Sequence, residues 1–141
     1  VLQKLNTKRG GFTLVEIMIV VAIIALLAAI AVPNFLRSRK RSQATQILED
    51  LRDIDAATDQ YAIETNRTSG TTCAWSDIQN YIKTGTRLYT SNSTDILGNP
   101  VGGPSSPGVF TVDQPVGFST QTFSALSDVA PAAFWSPYPV Y

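Results

Sequence analysis

The sequence predicts an α+β protein of lollipop form. A long amino-terminal helix, apolar in its first half and amphipathic in its second, packs on a small carboxy-terminal head of antiparallel β-sheet. Three observations predict it. The apolar run from Phe12 to Val32 is 21 residues long and carries a single charge, Glu16. Beyond it, apolar side chains recur at three- and four-residue steps as far as Tyr61, the period of a helix with one buried face. From Asn66 onward, glycine, proline, serine and threonine divide the chain into short pieces, several of them β-rich.

Composition narrows the function. Lysine plus arginine and aspartate plus glutamate number 11 each, so no basic excess marks nucleic acid as a partner. Seven of the 11 basic residues flank the apolar run: Lys4, Lys8 and Arg9 before it, Arg37, Arg39, Lys40 and Arg41 after it. Histidine is absent, which removes the commonest general base and metal ligand. Cys73 is the single cysteine, so an intrachain disulfide is impossible.

The apolar run is close to the roughly 20 residues that cross a bilayer as a helix. Basic residues before it, and Ala29-Ile30-Ala31 near its end, suit a secretory signal peptide. A plain single-pass anchor suits it too. Neither explains Glu16, because a carboxylate in lipid is costly and helps neither task. Basic residues on both sides leave orientation a near tie.

Gly10-Gly11-Phe12-Thr13-Leu14-Val15-Glu16, followed by an uninterrupted apolar helix and Pro33, resembles the processing site of type IV pilins and of the major pseudopilins of type II secretion. The resemblance covers the first third of the chain. It implies a basic prepilin leader at residues 1–11, cut by a prepilin peptidase between Gly11 and Phe12, with N-methylation of the new Phe12 amine. It also implies a transmembrane and filament-core helix over residues 12–33. The subunit would stand as a single-pass protein of the inner membrane. An inner-membrane assembly platform would then move it into a homo-oligomeric helical filament, periplasmic or extracellular.

Cleavage would leave an ammonium on Phe12, and an unpaired charge in an apolar bundle needs a partner. By the resemblance, Glu16 pairs with the Phe12 amine of an adjacent subunit and sets its register. Glu16 can also pair with its own Phe12 amine across one helical turn. Pro33 removes a donor and crowds the preceding turn, so a helix kink is expected near Ala29 to Pro33; a helix boundary at Asn34 is the simpler alternative. Arg37, Arg39, Lys40 and Arg41 form a basic collar suited to lipid headgroups or to acidic residues of neighbouring subunits.

Residues 34–66 continue the helix. Ala44, Ile47, Leu48, Leu51, Ile54, Thr58 and Tyr61 form the core face, while Glu49, Asp50, Arg52, Asp53 and Asp59 take the other faces. The whole helix, from about Thr13 to Thr65, would be near ~80 Å long at 1.5 Å per residue. The head, residues 67–141, is expected to hold a short helix from Ser76 to Lys83, N-capped by Ser76, with Ile78, Tyr81 and Ile82 inward and an end near Gly85. Strands are expected at Arg87–Thr90, Val109–Asp113 and Gln121–Ala125, an irregular loop over Gly98–Gly108, and a tail from Ala132 to Tyr141 lying along a sheet edge.

Asp95-Ile96-Leu97-Gly98-Asn99-Pro100 resembles a turn of major pseudopilins, in which a tryptophan often stands where Leu97 does here. That departure leaves open a minor pilin-like subunit. Major pseudopilins commonly hold calcium in an acidic loop, but after Asp77 only Asp95, Asp113 and Asp128 are available. Ca²⁺ takes 6 to 8 oxygen ligands, so calcium is a weak case, turn and capping roles suit these aspartates better, and no cofactor is expected. Enzymatic chemistry finds no support: Ser119, Thr120 and Ser124 lack a histidine, and Cys73 lacks a basic neighbour. An adhesive or ligand-binding head remains the alternative if Trp75, Trp135, Tyr138 and Tyr141 form an exposed aromatic patch.

Overall fold

The computed structural model describes residues 10–103 and 106–141. Most of the expected leader, residues 1–9, lies outside the described residues. Helix α1 runs from Leu14 to Thr65, 52 residues, and the chain divides into two compact units, the first ending at Leu36 and the second spanning Arg37–Tyr141.

In the first unit every residue from Gly10 to Leu36 is exposed, and the helix is long and apolar enough there to cross a membrane. Pro33 lies inside α1, which sets aside a helix boundary at Asn34. A proline costs one backbone donor, here the one that would reach the Ala29 carbonyl, and the residues on either side keep helical geometry.

In the second unit α1 buries Ala44, Ile47, Leu48, Leu51, Ile54, Ala57, Thr58 and Ala62. Thr58 is tolerated there because its hydroxyl donates to the Ile54 carbonyl at 2.9 Å. Facing this stripe are Trp75, Ile78, Phe110, Phe118, Leu126 and Trp135, all buried in one core. β1 (Thr72–Ala74) pairs antiparallel with β4 (Val109–Thr111), Cys73 opposite Phe110. β2 (Val101–Gly103) is the centre of a second antiparallel sheet in the order β3 (Ser106–Pro107), β2, β5 (Gly117–Phe118).

Four expectations for the head need correction. Arg87–Thr90 is not a strand but a four-residue helix, α3. The Thr86 hydroxyl accepts the Tyr89 N–H at 3.3 Å, and Asp50 of α1 binds the Arg87 guanidinium. Gln121–Ala125 belongs to helix α4 (Thr120–Leu126), N-capped by the Ser119 hydroxyl, with Thr122 and Leu126 as its buried face. Its β-rich residues lose to a cap and to a one-turn spacing of buried side chains. The stretch Gly98–Gly108 holds β2 and β3 as a hairpin rather than an irregular loop. Gly102 makes the close approach possible: its φ is +132°, and a Cβ there would sit 2.7 Å from the Gly108 nitrogen. Finally, Ser76 is no N-cap. Helix α2 starts at Trp75 after Ala74, stops at Ile78 and passes into a 3₁₀ turn at Gln79–Tyr81. Asp77 fixes this start by accepting the Ala74 N–H at 2.9 Å.

The tail forms a 3₁₀ turn at Ala132–Trp135 and then lies along the edge of β5, Val140 bridging Phe118 in parallel. Phe118 donates to the Pro139 carbonyl at 3.0 Å, Tyr141 to the Phe118 carbonyl at 3.1 Å, and Thr120 to the Tyr141 carbonyl at 2.8 Å. Trp75, Trp135 and Tyr138 are buried, so the exposed aromatic patch on which an adhesive head would rest does not form.

Candidate functional site

The residues with chemistry to explain lie at the start of α1. Gly10 and Gly11 have ordinary negative or extended φ, and among the described residues nothing lies within 4 Å of a Cβ built on either. Among the described residues, neither packing nor backbone conformation calls for glycine at these positions. Phe12, the next residue, is 86% exposed.

Thr13 and Glu16 form a capping box across the first turn. The Glu16 N–H donates to the Thr13 hydroxyl oxygen at 3.2 Å, and Glu16 Oε2 accepts the Thr13 N–H at 2.8 Å and the Thr13 hydroxyl at 2.9 Å. Two backbone donors that a helix start leaves orphaned are thereby satisfied. Glu16 thus has a local role that needs no second subunit. The signal is present in the sequence as Thr-x-x-Glu before an apolar run, and neither the cross-subunit nor the self-pairing account of Glu16 uses it. Glu16 Oε1 makes no hydrogen bond among the described residues, and Glu16 is one of the residues lining an open groove of 370 Å³, with Phe12, Ile17, Ile19 and Val20. One carboxylate oxygen of Glu16 thus has no partner among the described residues, and the other residues of the groove are apolar.

The acidic residues of the head have separate structural duties. Asp95 is buried; its Oδ1 accepts the Leu97 and Asn99 N–H groups at 2.8 and 2.9 Å, and its Oδ2 accepts the Thr122 hydroxyl. It closes the Asp95–Pro100 turn and ties it to α4, with Leu97 half-buried against the core. Asp113 sits in a turn at φ +60°, and Asp128 accepts from Lys40 Nζ at 3.1 Å. These three do not converge, and among the described residues no three His, Cys, Asp or Glu side chains cluster as metal ligands.

On α1, Asp50 leaves the solvated face expected for it, and Asp55, to which the sequence reading assigns no role, is partly buried as well. Asp50 binds Arg87, and Asp55 accepts the Val116 N–H at 3.1 Å. Burial pushes both carboxyls above the usual aspartate range, offset in part by Arg87 at Asp50 and by Val116 at Asp55. Burial likewise raises the Cys73 thiol, which is the opposite of an activated nucleophile.

Comparison with known protein families bears on the same end of the chain. Residues 6–32 match the family described as the prokaryotic N-terminal methylation motif. The chain is 42% identical over 67 residues to the type IV major pilin protein PilA of Myxococcus xanthus, covering 48% of this chain and 30% of that protein. It is 46% identical over 56 residues to the type IV wide pilus major component PilA4 of Thermus thermophilus, covering 40% and 43%. To the type II secretion system core protein G of Pectobacterium carotovorum subsp. carotovorum it is 33% identical over 60 residues, covering 43% and 38%. The chain thus spans less than half the length of each of these relatives. No solved structure matches it. The glycine pair, Phe12 and the Thr13–Glu16 box all lie inside the segment matched by the methylation motif, and the chain is similar over part of its length to type IV major pilins and to type II secretion core protein G.

Proposed function

We propose that the chain is a structural, non-enzymatic subunit of a helical filament, of the type IV pilus or type II secretion pseudopilus kind. The observation that carries this reading is the glycine pair, for which nothing among the described residues requires glycine. A residue kept free of a side chain for no internal reason suits an outside reader, here a prepilin peptidase that cuts between Gly11 and Phe12 and methylates the new amine. Before assembly the subunit spans the inner membrane through residues 12–33. An assembly platform in that membrane then passes it to a periplasmic or extracellular filament.

Glu16 is the subunit-pairing residue. Its free Oε1 and the apolar groove beside it suit a neighbour's Phe12, an aromatic ring that carries an ammonium after cleavage. The capping box presents that oxygen in a fixed place. Pro33 supplies a kink or a point of extension, because the Ala29 carbonyl lacks its helical donor. The head holds itself together through α1, and we propose that it needs no metal.

The test is the amino terminus of the protein isolated from membranes. The reading expects a peptide that begins at methylated Phe12, and expects Gly11→Val to leave the leader attached. A start at Val32 would make this an ordinary secreted protein. A wild-type peptide that still spans Gly11–Phe12 would make it a plain anchor.

A further inference from the structure

We propose that Arg37 and Arg41 form a binding site for the headgroup phosphate of anionic lipids, at the point where α1 leaves the bilayer. This deepens the membrane-resident stage of the function proposed above and rests on it. The site is an open groove of 430 Å³ lined by Arg37, Ser38, Arg41, Asp128 and Val129. At 3.6 residues per turn, Arg37 and Arg41 lie within about 40° of each other on α1, one turn apart, and Arg39 points roughly to the opposite side. Arg37, Ser38 and Arg41 line the groove from α1, and guanidinium and hydroxyl groups are the donors that a phosphate takes.

The carboxylate in the groove does not cancel that charge. Asp128 is held by Lys40 at 3.1 Å, and among the described residues neither Arg37 nor Arg41 forms an ion pair. Lys40 neutralises the acidic wall, and the two arginines remain for an external anion. Position selects the anion's source. The groove begins at Arg37, directly after a 25-residue stretch from Phe12 to Leu36 whose one charge is Glu16. At about 1.5 Å per residue, such a helix reaches across the ~30 Å hydrocarbon core and into the headgroup layer. Lipid phosphate is the anion present at that depth, and a basic residue near an anionic surface gains roughly five-fold in binding. Acidic residues of a neighbouring subunit are the competing occupant.

The full chain, reconstituted in phosphatidylcholine bilayers with a trace of spin-labelled phosphatidylglycerol or spin-labelled phosphatidylcholine, tests this without any filament. The wild type should restrict the anionic probe several-fold more than the neutral one. Arg37→Gln with Arg41→Gln should bring the ratio close to one, whereas Arg39→Gln together with Lys83→Gln, equal in charge lost, should leave most of the preference. An equal loss in both double variants would overturn the site in favour of diffuse attraction. No preference in the wild type would overturn it outright, and so would normal lipid preference in an Arg37→Gln, Arg41→Gln chain that no longer assembles, since the arginines would then serve a neighbouring subunit. Failure of the filament reading shows separately, as an uncut leader between Gly11 and Phe12.

Discussion

Replacing Gly117 by alanine isolates how the tail is held. Gly117 lies in β5 opposite Gly102 of β2, and a Cβ at this position would sit 2.7 Å from Cδ1 and Cε1 of Tyr141 and 2.8 Å from the Gly102 carbonyl oxygen. Both contacts are too short to persist. The carbonyl belongs to a paired strand, so the tail has to give way. What holds the tail are the three backbone hydrogen bonds at Phe118, Thr120 and Tyr141 and the contact of the Tyr141 hydroxyl with the Pro100 carbonyl at 3.4 Å. Overpacking of this kind costs about 1–3 kcal/mol. If the tail detaches, three backbone hydrogen bonds at about 1 kcal/mol each reach the upper end of that range. For a head of this size, 1 kcal/mol moves the melting temperature by roughly 4–8 °C. Gly117→Ala should therefore melt about 4–24 °C lower in a fragment from Arg37 to Tyr141, followed by circular dichroism. Gly103→Ala is the internal control: it lies in the same sheet, its nearest Cβ contact is an ordinary 3.5 Å to the Val109 carbonyl, and its φ is unstrained. Equal melting temperatures for the two variants would refute the steric argument. Removing the ring in Gly117→Ala/Tyr141→Ala should recover only part of the loss, because the Gly102 carbonyl remains in the way.

The two roles of Glu16 come apart by substitution. Glu16→Gln keeps an acceptor for the Thr13 cap and loses the charge, while Thr13→Ala does the reverse. Electron microscopy of filaments should show assembly lost in Glu16→Gln and Glu16→Leu, with processed subunits collecting in the membrane, partial loss in Glu16→Asp, and filaments retained in Thr13→Ala; abundant filaments from Glu16→Leu would sink the pairing account. The pH dependence of the head follows from Asp50 and Asp55, both raised by burial. A raised folded value means that the native head binds protons more tightly than the unfolded chain, so their contribution is fully present below about pH 4 and declines as pH rises through the raised values. Melting against pH should show a downward slope above that point, shallower in Asp55→Asn; a contribution that grew with pH would contradict the assignment. Tyr138 and Tyr141, also raised by burial, extend the same trend above about pH 10. Chelation should leave the melting temperature of the fragment unchanged, and a fall of many degrees would reveal a structural metal.

The amino-terminal half of this chain was legible because its physics is local. Apolar length and helical period are set by residues within one or two turns of each other, and α1 ends at Thr65, where the sequence reading places it; Thr-x-x-Glu is as local, though the sequence reading does not use it as a cap. Ala44, Ile47, Leu48, Leu51, Ile54 and Thr58 are buried for the same reason. The head depended on partners far along the chain. Arg87–Thr90 became a helix beside Asp50 of α1, Gln121–Ala125 became one with Thr122 turned to Asp95, and a glycine- and proline-rich stretch became a hairpin because Gly102 lets two backbones touch. In pieces of two to seven residues, propensity differences are fractions of a kcal/mol per residue and caps or buried hydrogen bonds from distant segments exceed them. The identity of the helix was thus decided by sequence, and that of each short element in the head by what tertiary packing placed against it.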